Sequence, residues 1–385
     1  MDKKLITQAK KFNYLKFLYD ASNKVVSGVY PHQVFIETFS GCNYKCEFCA
    51  TSRLNLTKGR KIEKNLFYKI INEIYDKVQF IQYYLQAEPV LNKELSELVE
   101  ICNKFHVDDC IATNVSPLVK SVSRKLLENN LDQILFSITG ASKEVYEELH
   151  PGGNFERVLK NMIGFLEMED ELGKIIRTRT LFVKEPKAMS TLDRYLKMFS
   201  LLPIDFVSTS ELITGFFYDG TKDESIPKSK EEWLKVPTCT VPWRMMGINV
   251  NGDVRACFID NQNRNIVGNV KEESVWEVWN GKKMKEFRQA VINRDFSITD
   301  KCGVLCSQCN AMVRPDALTK GNCWPYNFEN EVNKFFKNNS DYFGYKTDVD
   351  KLKPKFEFLR KHSQRWLEQM VNPTMDDDEF IDKFK

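Results

Sequence analysis

Short runs rich in β-branched and aromatic residues alternate with longer stretches in which apolar positions return every three or four residues. The short runs are 32–38 (HQVFIET), 80–85 (FIQYYL), 108–113 (DDCIAT) and 133–139 (QILFSIT), with 175–183 (IIRTRTLFV) and 205–212 (DFVSTSEL) as a fifth and sixth. Between them, 63–78 places Leu66, Ile70, Ile74 and Val78 on one helical face, and 91–105 and 155–173 behave similarly. Strands alternating with helices predict parallel pairing through crossover connections. The fold class expected is α/β, with a partial (β/α)6 TIM-like barrel. Such a fold places its chemistry on the loops that follow the strands. The unusual residues stand there: GCNYKCEFC (41–49) after the first run, QAEP (86–89) after the second, TNVS (113–116) after the third, and Ser137 ending the fourth.

From about residue 239 the pattern changes. INVNGDVRA reads as a hairpin turning at Asn251-Gly252. Residues 267–291 read as a turn leading into an amphipathic helix, and KCGVLCSQC (301–309) brings cysteines back, with Cys323 beyond. The remainder is charged and helical in period, as in 355–371, and acidic DDDE (376–379) reads as a solvated face or a frayed end. The expected domains are an N-terminal helical extension (1–31), the barrel (32–225), a small cysteine-bearing domain (226–325) and a helical tail (326–385).

Composition narrows the chemistry. A net charge of +3 over 385 residues gives no reason to expect a nucleic-acid partner. No apolar run reaches the length of a spanning helix, and the first twenty residues lack a signal-peptide core, so no membrane partner and a cytoplasmic location are expected. In a reducing compartment, eleven cysteines are better read as ligands than as disulfides. Cys102 and Cys110, in an ordinary helix-to-strand stretch, read instead as small buried apolar residues. The four histidines show no metal spacing, and only His150 lies near the expected mouth. Arg177 and Arg179 alternate along the fifth run, so both could face the barrel and meet an anionic group, or be surface charge.

Cys42-x3-Cys46-x2-Cys49, with Phe48 before the last cysteine, resembles the signature of the radical S-adenosylmethionine (SAM) superfamily. LQAEPVL (85–91) resembles that family's GGEP loop, with Gln86 and Ala87 in place of two glycines. Thr113-Asn114 resembles its TNG turn, and SITG (137–140) its fourth-strand serine segment. Cys239, Cys257, Cys306 and Cys309 resemble the ligand set of the SPASM/twitch extension, which carries auxiliary iron–sulfur clusters. The resemblance spans roughly 32–310. It implies a SAM-binding [4Fe–4S] cluster on Cys42, Cys46 and Cys49, with one iron left open for SAM, and an auxiliary [4Fe–4S] cluster on the later four cysteines. It implies that Glu88 and Asn114 hold the methionyl end of SAM, and Ser137 its carboxylate or ribose. The residues leave other roles open: Glu88 capping a helix, Asn114 suiting a turn, Ser137 packing in the barrel, and Cys302, Cys306, Cys309 and Cys323 forming a zinc knuckle.

The reaction implied is hydrogen abstraction by a 5′-deoxyadenosyl radical, with flavodoxin or ferredoxin as electron donor. Relatives of the twitch form point to a small polar substrate (a sugar, aminosugar or aminocyclitol) and to dehydrogenation or epimerisation. The alternative is a peptide-modifying maturase. The short stretch before the first strand leaves little room for a peptide-recognition domain there, and this tips the expectation toward the small molecule. A zinc-binding interaction module is the non-enzymatic reading.

Overall fold

The computed structural model describes residues 25–53, 58–212, 226–236, 238–300, 306–309 and 347–384. Most of the expected N-terminal helix, the start of the tail, and Cys302 and Cys323 lie outside the described residues. The six expected strands are present as β1 (Gln33–Ile36), β2 (Phe80–Gln82), β3 (Asp108–Thr113), β4 (Gln133–Ser137), β5 (Arg177–Lys184) and β6 (Phe206–Glu211). They pair in parallel in chain order. Helices α1 (Ala50–Arg53), α2 (Lys64–Ile74), α3 (Leu95–Phe105), α4 (Lys120–Glu128), α5 (Lys143–Leu149), α6 (Phe155–Leu172) and α7 (Leu192–Phe199) fill the crossovers. Leu66, Ile70 and Ile74 are buried on α2, and Val78 is buried just beyond its end. Cys102 and Cys110 are both buried. Among the described residues no helix is long and apolar enough to cross a membrane.

The second half continues the same sheet. After α8 (Lys230–Lys235) and α9 (Val241–Arg244), β7 (Met245–Ile248) pairs in parallel with β1. The hairpin partner β8 (Asp253–Arg255) and then β9 (Ile266–Asn269) add antiparallel strands, giving the order β6-β5-β4-β3-β2-β1-β7-β8-β9. Within 267–291, read as a turn leading into an amphipathic helix, the turn region holds β9 and the helix is divided into α10 (Val275–Trp279) and α11 (Lys282–Asn293). Two local signals explain the break. Ser274 and Glu277 form a capping box that starts α10, and Asn280-Gly281 separates it from α11. A short α12 (Phe296–Thr299) follows.

The tail is part of the core. Helix α13 (Val349–Val371) buries Leu352, Phe356, Leu359, Trp366 and Met370 in the same apolar core as the barrel helices. Trp366 stacks edge-on against Phe199 at 5.6 Å and donates from Nε1 to the Met198 carbonyl at 2.9 Å. The acidic run is more than a solvated face. Asp377, in α14 (Asp377–Asp382), accepts a bidentate bond from half-buried Arg194 at 2.8 and 3.0 Å, and Asp378 pairs with Lys197. Trp366→Ala should therefore cost about 3–5 kcal/mol, as for other buried aromatic truncations. Urea unfolding of the intact chain checks this, and an unchanged midpoint would show that the tail is dispensable.

Candidate functional site

The loop after β1 is fixed by its own backbone before any ligand is considered. Thr38 Oγ1 donates to the Tyr83 carbonyl at 2.9 Å, and the Gly41 carbonyl accepts from Glu88 N at 2.9 Å. A Cβ at Gly41 would lie 2.6 Å from the Phe39 ring, so a larger residue there would have to displace that ring. Lys45 N and Glu47 N donate to the carbonyls of Pro151 and Leu149, which holds the cysteine loop against the loop after α5. Gly152 in that loop has φ +92°, and a Cβ there would press on the Asn43 carbonyl at 3.2 Å.

Cys42, Cys46 and Cys49 are free and half-buried, and share one electrostatic neighbourhood. Burial pushes the Cys42 thiol up to about 11 and the Cys46 thiol higher still, and the neighbouring thiols push the same way. Free thiolates are disfavoured here, and a metal's positive charge is what would compensate them. His150 is buried, with Nδ1 3.0 Å from Cys46 Sγ and Nε2 3.0 Å from the Thr139 carbonyl. A carbonyl only accepts, so Nε2 carries the proton and Nδ1 accepts from the thiol. Burial lowers the imidazole to about 4.

Glu88 is 2% exposed. Its Oε1 accepts from Thr113 Oγ1 at 2.8 Å and Val90 N at 3.1 Å, and its Oε2 from Asn114 N at 2.6 Å. Both oxygens thus join the second loop to the third. Burial raises the carboxyl to about 7 against the pull of those bonds. Asn114 turns toward the cysteines: Nδ2 donates to Asn43 Oδ1 at 2.9 Å and lies 3.8 Å from Cys42 Sγ. Val115 follows with φ +66°, a strained conformation for a β-branched residue. Ser137 ends β4 on the opposite face from Phe136, which packs on Phe165 of α6.

Alternation defines the inner face. Val34, Ile36, Ile81, Tyr83, Ile134, Phe136 and Phe182 belong to the core under the helices. Gln33, Phe35, Gln82, Gln133, Ser137 and Arg179 therefore face inward. The amide atoms of Gln33 and Gln82 have no protein partner among the described residues. Arg179 Nε donates to Ser208 Oγ at 2.8 Å.

The later cysteines converge although they are far apart in sequence. Cys309 is buried with Trp233 and Ile259, and Cys239, Cys257 and Cys306 pack around them. Cys257 feels Cys306, Cys239 and Cys309 electrostatically, and burial drives its thiol well above the ordinary value. Burial pushes Cys239 up to about 12. Among the described residues no three His, Cys, Asp or Glu side chains close to the spacing of a single metal ion. The four converging groups are all thiols, a soft donor set that suits an iron–sulfur cluster. This set borders the inner face, where Phe35 stacks on Phe258 at 4.5 Å beside Cys239 and Cys257. The sequence did not signal the Phe35–Phe258 stack or the His150–Cys46 contact, because each joins residues distant along the chain.

Residues 36–168 match the model of the radical SAM superfamily, and residues 239–310 match that of the SPASM iron–sulfur cluster-binding domain. The chain is 27% identical over 128 residues to a probable GTP 3′,8-cyclase of Methanococcus maripaludis strain C7, covering 33% of this chain and 43% of that protein. That match thus spans less than half of the relative's length. It is 20% identical over 284 residues to the S-adenosyl-L-methionine-dependent 2-deoxy-scyllo-inosamine dehydrogenase of Niallia circulans, covering 71% and 91%. Its fold is similar to that of Streptococcus suis SuiB bound to precursor peptide SuiA, with a TM-score of 0.55, 18% identity, and coverage of 78% and 75%.

Proposed function

The chain belongs to the radical SAM superfamily and carries a C-terminal SPASM domain, and on that premise we propose that it oxidises a carbinol carbon of a small polar molecule. Its cofactors are a SAM-binding [4Fe–4S] cluster, auxiliary iron–sulfur chemistry and S-adenosylmethionine. When bound, the first cluster and SAM supply one electron and a 5′-deoxyadenosyl radical able to take hydrogen from an unactivated C–H bond.

The chain's own residues have the following proposed roles. Cys42, Cys46 and Cys49 hold the first cluster, and His150, held by its Nε2 bond to the Thr139 carbonyl, packs beside Cys46. Glu88 locks the second and third loops together, and Asn114, with Nδ2 3.8 Å from Cys42 Sγ, would hold the methionyl end of SAM. Ser137, on the inner face at the end of β4, would meet the carboxylate or ribose of SAM. Cys239, Cys257, Cys306 and Cys309 hold the auxiliary cluster. Phe35 and Phe258 keep water from the boundary between the two regions. Flavodoxin or ferredoxin is the proposed source of the starting electron.

One observation carries this reading: a polar inner face, with the amides of Gln33 and Gln82 lacking partners among the described residues, borders the second cysteine set. A polyhydroxylated or amino-bearing ring could engage such amides, and an adjacent cluster suits removal of an electron from it. The similarity to the inosamine dehydrogenase supports an aminocyclitol or aminosugar. The similarity to SuiB makes a peptide the competing substrate.

The test is anaerobic reconstitution with SAM and dithionite, followed by mass spectrometry of 5′-deoxyadenosine. Aminocyclitols and aminosugars deuterated at the carbinol carbon should transfer deuterium to it and yield a ketone. Transfer from a labelled peptide alone would sink the small-molecule reading.

A further inference from the structure

A partly buried polar link joins the loop after β2 to the auxiliary cysteine segment. Gln86 stands where the family resemblance has glycine, and its side chain crosses between the two halves of the sheet. Its Nε2 donates to Asn261 Oδ1 at 2.7 Å, and its Oε1 accepts from Arg255 Nη2 at 2.8 Å. Arg255 is 1% exposed, and its Nε donates to Asn249 Oδ1 at 2.6 Å. Its Nη1 is buried without a hydrogen-bond partner among the described residues. Arg255 ends β8, two residues before Cys257, and its charge interacts with that cysteine. The acidic groups that face it are Glu37, at the end of β1, and Asp260. Glu37 Oε2 accepts from Val250 N at 3.4 Å, and Asp260 Oδ2 accepts from Asn265 N at 2.8 Å.

We propose that Arg255 biases the auxiliary cluster toward accepting an electron, and that Gln86, reaching from the loop after β2, fixes the guanidinium in that position. The proposal rests on the reading that Cys239, Cys257, Cys306 and Cys309 ligate this cluster. Oxidising a carbinol radical to a carbonyl releases one electron and one proton. Taking up that electron adds one negative charge to the cluster, and a fixed cation nearby stabilises the reduced form more than the oxidised one. A guanidinium keeps its charge when buried, and among the described residues Arg255 Nη1 makes no direct hydrogen bond to an acid. Gln86 would make this bias depend on the loop that also anchors the SAM side. A glycine at that position could not do so.

The test is a redox titration followed by electron paramagnetic resonance on full-length chains carrying Cys42→Ala, Cys46→Ala and Cys49→Ala. In this background the auxiliary cluster is observed alone. Adding Arg255→Gln should shift the oxidised-to-reduced ratio at fixed potential at least tenfold toward oxidised, a fall of about 59 mV in midpoint for one electron. Arg255→Lys should recover most of the shift, and Gln86→Ala should move the midpoint in the same direction by less. In otherwise unaltered protein, Arg255→Gln should leave the midpoint of the first cluster unchanged, which a general loss of structure would not. A change below twofold in Arg255→Gln, with iron retained, overturns the proposal. If Arg255→Gln loses its iron, an unmoved midpoint in iron-replete Gln86→Ala overturns it. Absence of iron from the cysteine-triple background would overturn the ligand assignment, and the proposal with it.

Discussion

Chains carrying Cys42→Ala, Cys46→Ala and Cys49→Ala together are expected to lose about four of about eight irons and to form no 5′-deoxyadenosine from SAM and dithionite. The loss should be chemical rather than structural. The loop is held by the Lys45 and Glu47 amides on Pro151 and Leu149, and by the Glu88 amide on Gly41, none of which uses a thiol. Burial also disfavours the thiolates of Cys42 and Cys46, so removing those side chains leaves no uncompensated charge. Iron analysis and product chromatography of anaerobically reconstituted protein check both halves of this expectation. Continued 5′-deoxyadenosine formation at the rate of the unaltered chain would mean that another site cleaves SAM. Stoichiometric zinc with about four irons in the unaltered chain would instead favour the knuckle reading for the later cysteines.

The barrel was legible because its signals are local. Each strand is a short β-branched run, each crossover helix shows its own period, and Cys42, Cys46 and Cys49 fall within one loop. What the sequence concealed depends on pairing across distance. The β7 run pairs with β1 about two hundred positions earlier, so the second half appears separate in sequence although it extends the same sheet. The strand β9 is four residues long and contains Gly268, and its short pattern merges with the helices that follow. The acidic tail looked like a solvated end because its partners, Arg194 and Lys197, lie on α7. The site shows the same division. Gln86 was visible as a departure from the family's glycine, but its partners Arg255 and Asn261 are 169 and 175 positions away. Glu88 was visible as the acid of the GGEP-like loop, while its engagement with Thr113 and Asn114 required the third loop to be in place.

Cys306→Ala with Cys309→Ala should remove the auxiliary cluster, stop ketone formation, and leave hydrogen abstraction partly intact. The two residues share one turn, Cys309 N donating to the Cys306 carbonyl at 3.3 Å, and their sulfurs complete the set around Cys257. The first cluster depends on none of these contacts, so SAM cleavage should persist at a reduced rate. Without an acceptor the substrate radical cannot lose its electron, and 5′-deoxyadenosine should then accumulate in excess over ketone. In the unaltered enzyme the two products should appear in equal amounts, with no solvent hydrogen at the reacting carbon. An epimerase would behave differently, because its radical is quenched by a hydrogen atom from a donor that exchanges with solvent. Cys302 and Cys323, the thiols considered for that role, lie outside the described residues. Running the unaltered enzyme in D2O separates the two outcomes. Deuterium at the reacting carbon of an unoxidised product would sink net oxidation and leave radical chemistry standing, because the proposed source of the radical and its proposed fate are assigned to different sets of cysteines.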